Sequence, residues 1–228
     1  MGADNQPKAR QQGRDLRRKA ASRKSADRIL IVCEGSKTEP QYFEEIRQEL
    51  RLPTAHIHVL GAINGNDPLS VVQYAENLFL YGDSHRSLAP RVFDQIWVVF
   101  DRDEHHTYHA ALERVNQLNL SMKNDIKLKV PFEVVASIPC FEIWLLLHYE
   151  EVLAPLSRSV VYQRLRRHIP NYQKGNSDLW KLTNSHVQVA IERAIKLASL
   201  KGRSDDDGPY TDVSFFIDRL RNLTKQKI

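Results

Sequence analysis

Short apolar runs ending in an acid or a glycine, each followed by helical periodicity, leave this chain few folds. Ile29-Leu30-Ile31-Val32-Cys33 is continuous and β-branched, the pattern of a strand buried on both faces. Gly35 breaks it. Thr38-Glu39-Pro40-Gln41 then reads as a helix start, with Thr38 as cap, Gln41 closing a capping box and Pro40 in the first turn. Tyr42, Phe43, Ile46 and Leu50 carry that helix onward at helical spacing. A strand around Ile57–Leu60 follows, then a helix opened by Asp67-Pro68 with Leu69, Val72, Ala75 and Leu78 on one face. Next come a strand at Gln95–Phe100, a helix from about Thr107 to Leu118, a strand at Phe132–Ala136 and an apolar helix from Cys140 to Tyr149. This alternation with short connections predicts an α/β fold, a mainly parallel sheet flanked by helices. Beyond Glu150 the pattern is helical only, over Val160–His168, His186–Leu200 and Asp212–Leu223.

Three regions are therefore expected: a basic arm over 1–27, an α/β core over 28–150, and a helical extension over 151–228 packed on the core. No stretch approaches the ~18 apolar residues of a membrane span, and no apolar segment backs the basic N-terminus as a secretory signal requires. The two cysteines, Cys33 and Cys140, are far apart and not in a metal-type pair. A reducing, cytoplasmic setting is the expectation.

The net charge of +5 is unevenly placed: residues 1–28 hold nine Lys/Arg against three Asp, leaving 24 bases against 25 acids elsewhere. That leader, with Arg17, Arg18, Lys19, Arg23 and Lys24, reads either as a solubilising tail or as an arm on a nucleic-acid backbone. A second basic stretch (Arg158, Arg164, Arg166, Arg167, His168, Lys174) is interleaved with Tyr162 and Tyr172. It suits backbone contacts and base stacking, and equally an ordinary solvated helix face. On the first reading Arg164, Arg166, Arg167 and Lys174 bind nucleic acid.

Acids gather where the strands end. Ligands of open α/β sheets sit beyond the carboxyl ends of the strands. Glu34 follows the first strand, Asp101 and Asp103 the third, and Ser137 and Glu142 the fourth. In an extended stretch positions i and i+2 share a side, so Asp101 and Asp103 face one point while Arg102 faces away. Two like charges ~4 Å apart repel by about 4 kcal/mol at an effective dielectric near 20. A cation resolves that crowding, and Mg²⁺ accepts hard oxygen ligands while leaving room for a substrate phosphate. The plainer alternative is that Asp103 caps the following helix. His105 and His109, at i,i+4, could share a helix face and with Asp103 form a zinc- or manganese-type set, or serve as surface groups. Cys140 has no identifiable partner for nucleophilic chemistry. No G-x-x-x-x-G-K-[ST] string is present, so ATPase activity would belong to another chain.

ILIVCEGSKTEPQYF at 29–43, VFDRDEH at 99–105 and SIPCFEIWLLLH at 137–148 resemble three blocks of RloB-like proteins, with PYTDV at 209–213 similar to a weaker fourth. The resemblance implies a core similar to Toprim, whose signature is a Glu after the first strand and D-x-D after a later one. Glu34, Asp101 and Asp103 match it; Ile138 stands where Asn is expected before Pro139. The resemblance also implies a role in prokaryotic anti-phage defence (abortive infection), often beside an AAA-type ATPase. The implied activity is Mg²⁺- or Mn²⁺-dependent phosphodiester hydrolysis of DNA or RNA, tRNA among the candidates. Asp101 and Asp103 would hold the metal, and Glu34 would be ligand or general base. Lys37 would touch a phosphate oxygen or stay a solvated loop lysine, and His105 would protonate the leaving oxygen. Glu142 would be a further ligand, and Glu39 either a charge favouring the helix N-terminus or, if the helix starts later, a second-metal ligand. Two rivals stand beside it. A haloacid-dehalogenase phosphatase is disfavoured, because its D-x-D follows the first strand and carries Thr or Val where His105 stands. The other is a non-catalytic Toprim-like sensor or nucleic-acid-binding subunit of a defence complex.

Overall fold

The computed structural model describes residues 27–52, 55–59, 67–200, 202 and 208–225. Arg17, Arg18, Lys19, Arg23 and Lys24 lie outside these, as does Leu60. In chain order the elements are β1 (Ile29–Cys33), α1 (Thr38–Glu49), β2 (Ala55–Val59), α2 (Pro68–Tyr81), β3 (Gln95–Asp101), α3 (Tyr108–Leu118) and β4 (Phe132–Ile138). Then follow α4 (Glu142–Leu147), α5 (Arg158–His168), α6 (Leu179–Thr183), α7 (Val187–Leu200), β5 (Tyr210–Thr211) and α8 (Val213–Lys225).

The strands form one sheet in the order β2-β1-β3-β4-β5. The first four are parallel, and β5 pairs antiparallel with the end of β4 through Ser137–Thr211 and Ile138–Tyr210. This helix-flanked, mainly parallel sheet is Rossmann-like and consistent with a Toprim-like fold. The register places Cys33 beside Val99 and Asp101 beside Ser137, so β1, β3 and β4 end at one edge.

Every residue of β1 and β3 is buried, which explains their unbroken apolar composition. Alternate side chains feed two separate cores. Ile29, Ile31, Cys33, Trp97, Val99 and Val135 pack with α1, α4 and the helices of the extension. Leu30, Val32, Ile96, Val98, Phe100 and Val134 pack beneath α2 and α3. Among the described residues no helix is long and apolar enough to cross a membrane.

Local chemistry sets several boundaries. Asp67 caps α2, accepting from the Leu69 and Ser70 amides, with Pro68 at the first helical position. The capping box expected at Thr38 does not form: Lys37 occupies the cap position without a side-chain bond. The Thr38 hydroxyl instead accepts the Gly175 amide at 3.0 Å, because the extension folds back over this turn. The helical-only reading after Glu150 is also corrected. Tyr210–Thr211 adds an edge strand, placed by the Asp212 amide on the Ala136 carbonyl and the Asp212 carboxylate on the Ala136 amide.

Candidate metal and catalytic centre

β1 delivers Glu34 to the carboxyl edge of the sheet, where its amide continues the ladder to the Val99 carbonyl at 2.9 Å. Its side chain turns across β3: Oε2 accepts the Asp101 amide at 3.2 Å and Oε1 lies 3.3 Å from His105 Nε2. The first-strand glutamate and the D-x-D motif therefore meet, as the sequence reading expected. The route differs. β3 ends at Asp101, and Asp103 has a left-handed φ of 39°, so the motif is a turn and not an extended pair. The Arg102 and Asp103 amides latch that turn to the Ser137 and Pro139 carbonyls at 2.9 and 3.1 Å. Both aspartates still face a common point.

That point holds a guanidinium. Arg158, the first residue of α5, reaches Asp103 Oδ2 with Nη1 at 2.6 Å and Asp101 Oδ2 with Nη2 at 3.4 Å. Sequence reasoning placed Arg158 only in a basic stretch and missed this role; nothing in its spacing signals it.

Behind the aspartates lie two more acids. Glu39, in the first turn of α1, is buried against Gly35, and among the described residues its Oε2 has no hydrogen-bond partner. Glu142 opens α4 and is fully buried; Oε1 accepts the Tyr162 and Tyr172 hydroxyls at 2.7 and 3.0 Å, while Oε2 has no partner. Burial, with Asp103 and Glu39 nearby, pushes the Glu34 carboxyl up to about 7 against the opposing Asp101 amide. Burial and the crowd of Glu39, Glu142, Asp103 and Glu34 hold Asp101 well above the carboxylate range. Glu39 is raised by burial and by Glu142. Asp103 is raised too, burial outweighing Arg158 and Lys174.

Among the described residues, no three His, Cys, Asp or Glu side chains stand as a ready-made metal set. Arg158 bridges Asp101 and Asp103, and Glu34 stands beside them on the Asp101 amide. The donor chemistry fits nonetheless. The acids are hard oxygen donors, two of their buried oxygens lack partners, and mutual repulsion marks a shortage of positive charge. An open pocket of about 480 Å³ lined by Asp103, Glu104, His105, Pro139, Ser157 and Arg158 leads to the pair.

His105 and His109 do not share a helix face, since α3 starts at Tyr108 and the His105 amide closes a turn on the Arg102 carbonyl. The set with His109 and Asp103 is therefore discarded. Lys37 is exposed, with its aliphatic stem packed on Gly175, whose φ of +86° suits glycine. Lys174 is exposed, and its charge bears on Glu34, Glu39 and Asp103. Arg164 Nε bonds Glu150 at 2.7 Å and Arg166 Nε bonds the Tyr172 carbonyl at 3.2 Å, while Arg167 is exposed. Tyr172 is fully buried and cannot stack on a base, which corrects that part of the nucleic-acid reading.

Comparison with curated proteins and with solved structures finds no match to this chain. The family model described as RloB-like protein matches residues 29–220, spanning all three acid-bearing blocks, and the chain belongs to the RloB-like protein family.

Proposed function

We infer that the acidic edge is the catalytic centre of a Mg²⁺- or Mn²⁺-dependent nuclease, hydrolysing phosphodiester bonds of DNA or RNA in anti-phage defence beside an AAA-type ATPase. The observation that carries this reading is that one cation bridges Asp101 and Asp103 beside an open pocket, while the Glu34 side chain meets the same strand end at the Asp101 amide. Asp101 and Asp103 would hold the ion, with Glu39 and Glu142 supplying negative charge behind them. When bound, such an ion stabilises charge on phosphate oxygens and lowers the pKa of a bound water.

Glu34 is suited to take a proton from water. Its carboxyl sits near neutrality, and Oε2 is oriented by the Asp101 amide. His105, 3.3 Å from Glu34 Oε1 and on the pocket wall, can share that proton or pass one to the leaving oxygen.

Purified full-length protein, incubated with Mg²⁺ and separately Mn²⁺ against plasmid DNA and total tRNA, should cleave at least one substrate. Asp101→Asn should cut that rate by about a hundredfold or more, following the loss of a charge-stabilising group. Unchanged cleavage in Asp101→Asn would refute the assignment. The Arg158 bridge favours one other reading, a charge-neutralised site in a non-catalytic nucleic-acid-binding subunit. That reading predicts binding of both substrates and cleavage of neither.

A further inference from the structure

We propose, on the hydrolase reading above, that Arg158 is a two-position group: the resting counter-ion of the aspartate pair and the phosphate ligand of the metal-loaded site. Its backbone is fixed by packing, while its head is held, among the described residues, only by the two aspartates. α5 is pinned by buried Val161 and Leu165 and by the Tyr162 hydroxyl on Glu142. The Arg158 side chain is 39% exposed and borders the 480 Å³ pocket. Its bonding is lopsided, 2.6 Å to Asp103 and a loose 3.4 Å to Asp101.

The pair is open to solvent only on its Arg158 side, 39% exposed against 9% and 17% for the aspartates, and a divalent ion doubles the charge offered to the same oxygens. Arg158 yields the carboxylates and stays in the pocket through which a substrate phosphate must approach. Its planar fork of donors matches phosphate as well as carboxylate. In the resting protein the same guanidinium offsets the repulsion between Asp101 and Asp103. One residue thus spares the acids an unpaired charge before loading and supplies a phosphate clamp afterwards.

The test compares wild type, Arg158→Gln and Arg158→Lys by Mn²⁺ titration (electron paramagnetic resonance of free Mn²⁺) and by cleavage rate at saturating Mn²⁺. Arg158→Gln should bind Mn²⁺ roughly fivefold more tightly, the worth of a half-exposed ion pair. It should cleave about a hundredfold more slowly, the usual cost of removing one transition-state donor. Arg158→Lys, which keeps the charge without the fork, should fall between on both readouts. Mn²⁺ should also raise the melting temperature of Arg158→Gln more than that of wild type. Mn²⁺ binding in Arg158→Gln no tighter than wild type, or full-speed cleavage, overturns the proposal while a cleaving wild type leaves the hydrolase reading intact. A wild type that takes up no more Mn²⁺ than Asp101→Asn/Asp103→Asn overturns both.

Discussion

Buried polar groups in this molecule sit in environments that resist change, and Gly35 and His148 each offer a clean test. Gly35 follows Glu34, and a Cβ added there would overlap the Glu39 carboxyl group. Gly35→Ala should therefore destabilise by about 1–3 kcal/mol, the usual cost of overpacking. Gly35→Ala/Glu39→Ala should recover most of it, because the obstructing carboxylate and its unpartnered oxygen are gone. Urea titrations of the two singles and the double give the coupling; strict additivity would clear Glu39 of blame. His148 lies away from the acids, after α4. Burial drives its pKa down to about 4, with His186 and Arg193 adding to the shift against the Trp144 and Leu145 backbone. Its Nδ1 donates to the Trp144 carbonyl at 2.9 Å and Nε2 is buried without a partner among the described residues, which leaves an added proton unsatisfied there. Between pH 6.5 and 4 the unfolded chain takes a proton that the folded one refuses. Stability is then fully present above about pH 6.5 and falls toward pH 4, by on the order of 3 kcal/mol. His148→Phe should show a shallower loss between pH 7 and 4.5 in urea unfolding; parallel curves would rule out this histidine as a source of acid sensitivity.

Neighbouring elements here end level with one another. β1, β3 and β4 are in parallel register, so stopping β1 at Cys33 and β3 at Asp101 puts Glu34 and the D-x-D turn at the same height. Asp67 links the helices on the opposite face from the extension. Besides capping α2 it accepts the Thr107 hydroxyl at 2.8 Å, tying α2 to the residue before α3. Asp67→Ala should cost about 1–2 kcal/mol, at the upper end for a lost cap because a tertiary bond goes with it. The matching measurement is the urea midpoint, with Asp67→Asn retaining part of the effect; a change below a few tenths of a kcal/mol would contradict the capping account. Asp67 and Pro68 are side by side in the chain, and the helix start they form was legible there. Thr38 carried an equally good local signal and failed, because the Gly175 amide claimed its hydroxyl.

Seen whole, the molecule hides one face of its sheet under helices that come late in the chain. Tyr42 meets Trp180 edge-on, Phe43 meets Phe216, and Trp97 packs on Phe216 with centroids 4.7 Å apart. A fragment of residues 27–150 would expose Tyr42, Phe43, Phe141 and Trp144, each worth about 1.5–3 kcal/mol when buried, against a typical total stability of 5–15 kcal/mol. It should fail to fold, giving collapsed amide-proton dispersion, whereas a well-dispersed spectrum would show that the α/β part stands alone. β3 and β4 run on to Asp101 and Ile138, past the expected Phe100 and Ala136. The amino-acid sequence by itself determined the alternation of strands and helices through β4 and the identity of Glu34, Asp101 and Asp103 as acids near the strand ends. These are read from residues close together in the chain, where periodicity and turn chemistry act. Only the tertiary structure decided that Arg158 spans the aspartate pair, that Tyr162 and Tyr172 hold Glu142, and that β5 closes the sheet edge. Those contacts join segments far apart in sequence, and long-range pairing is set by the packing of whole faces, which no local pattern encodes.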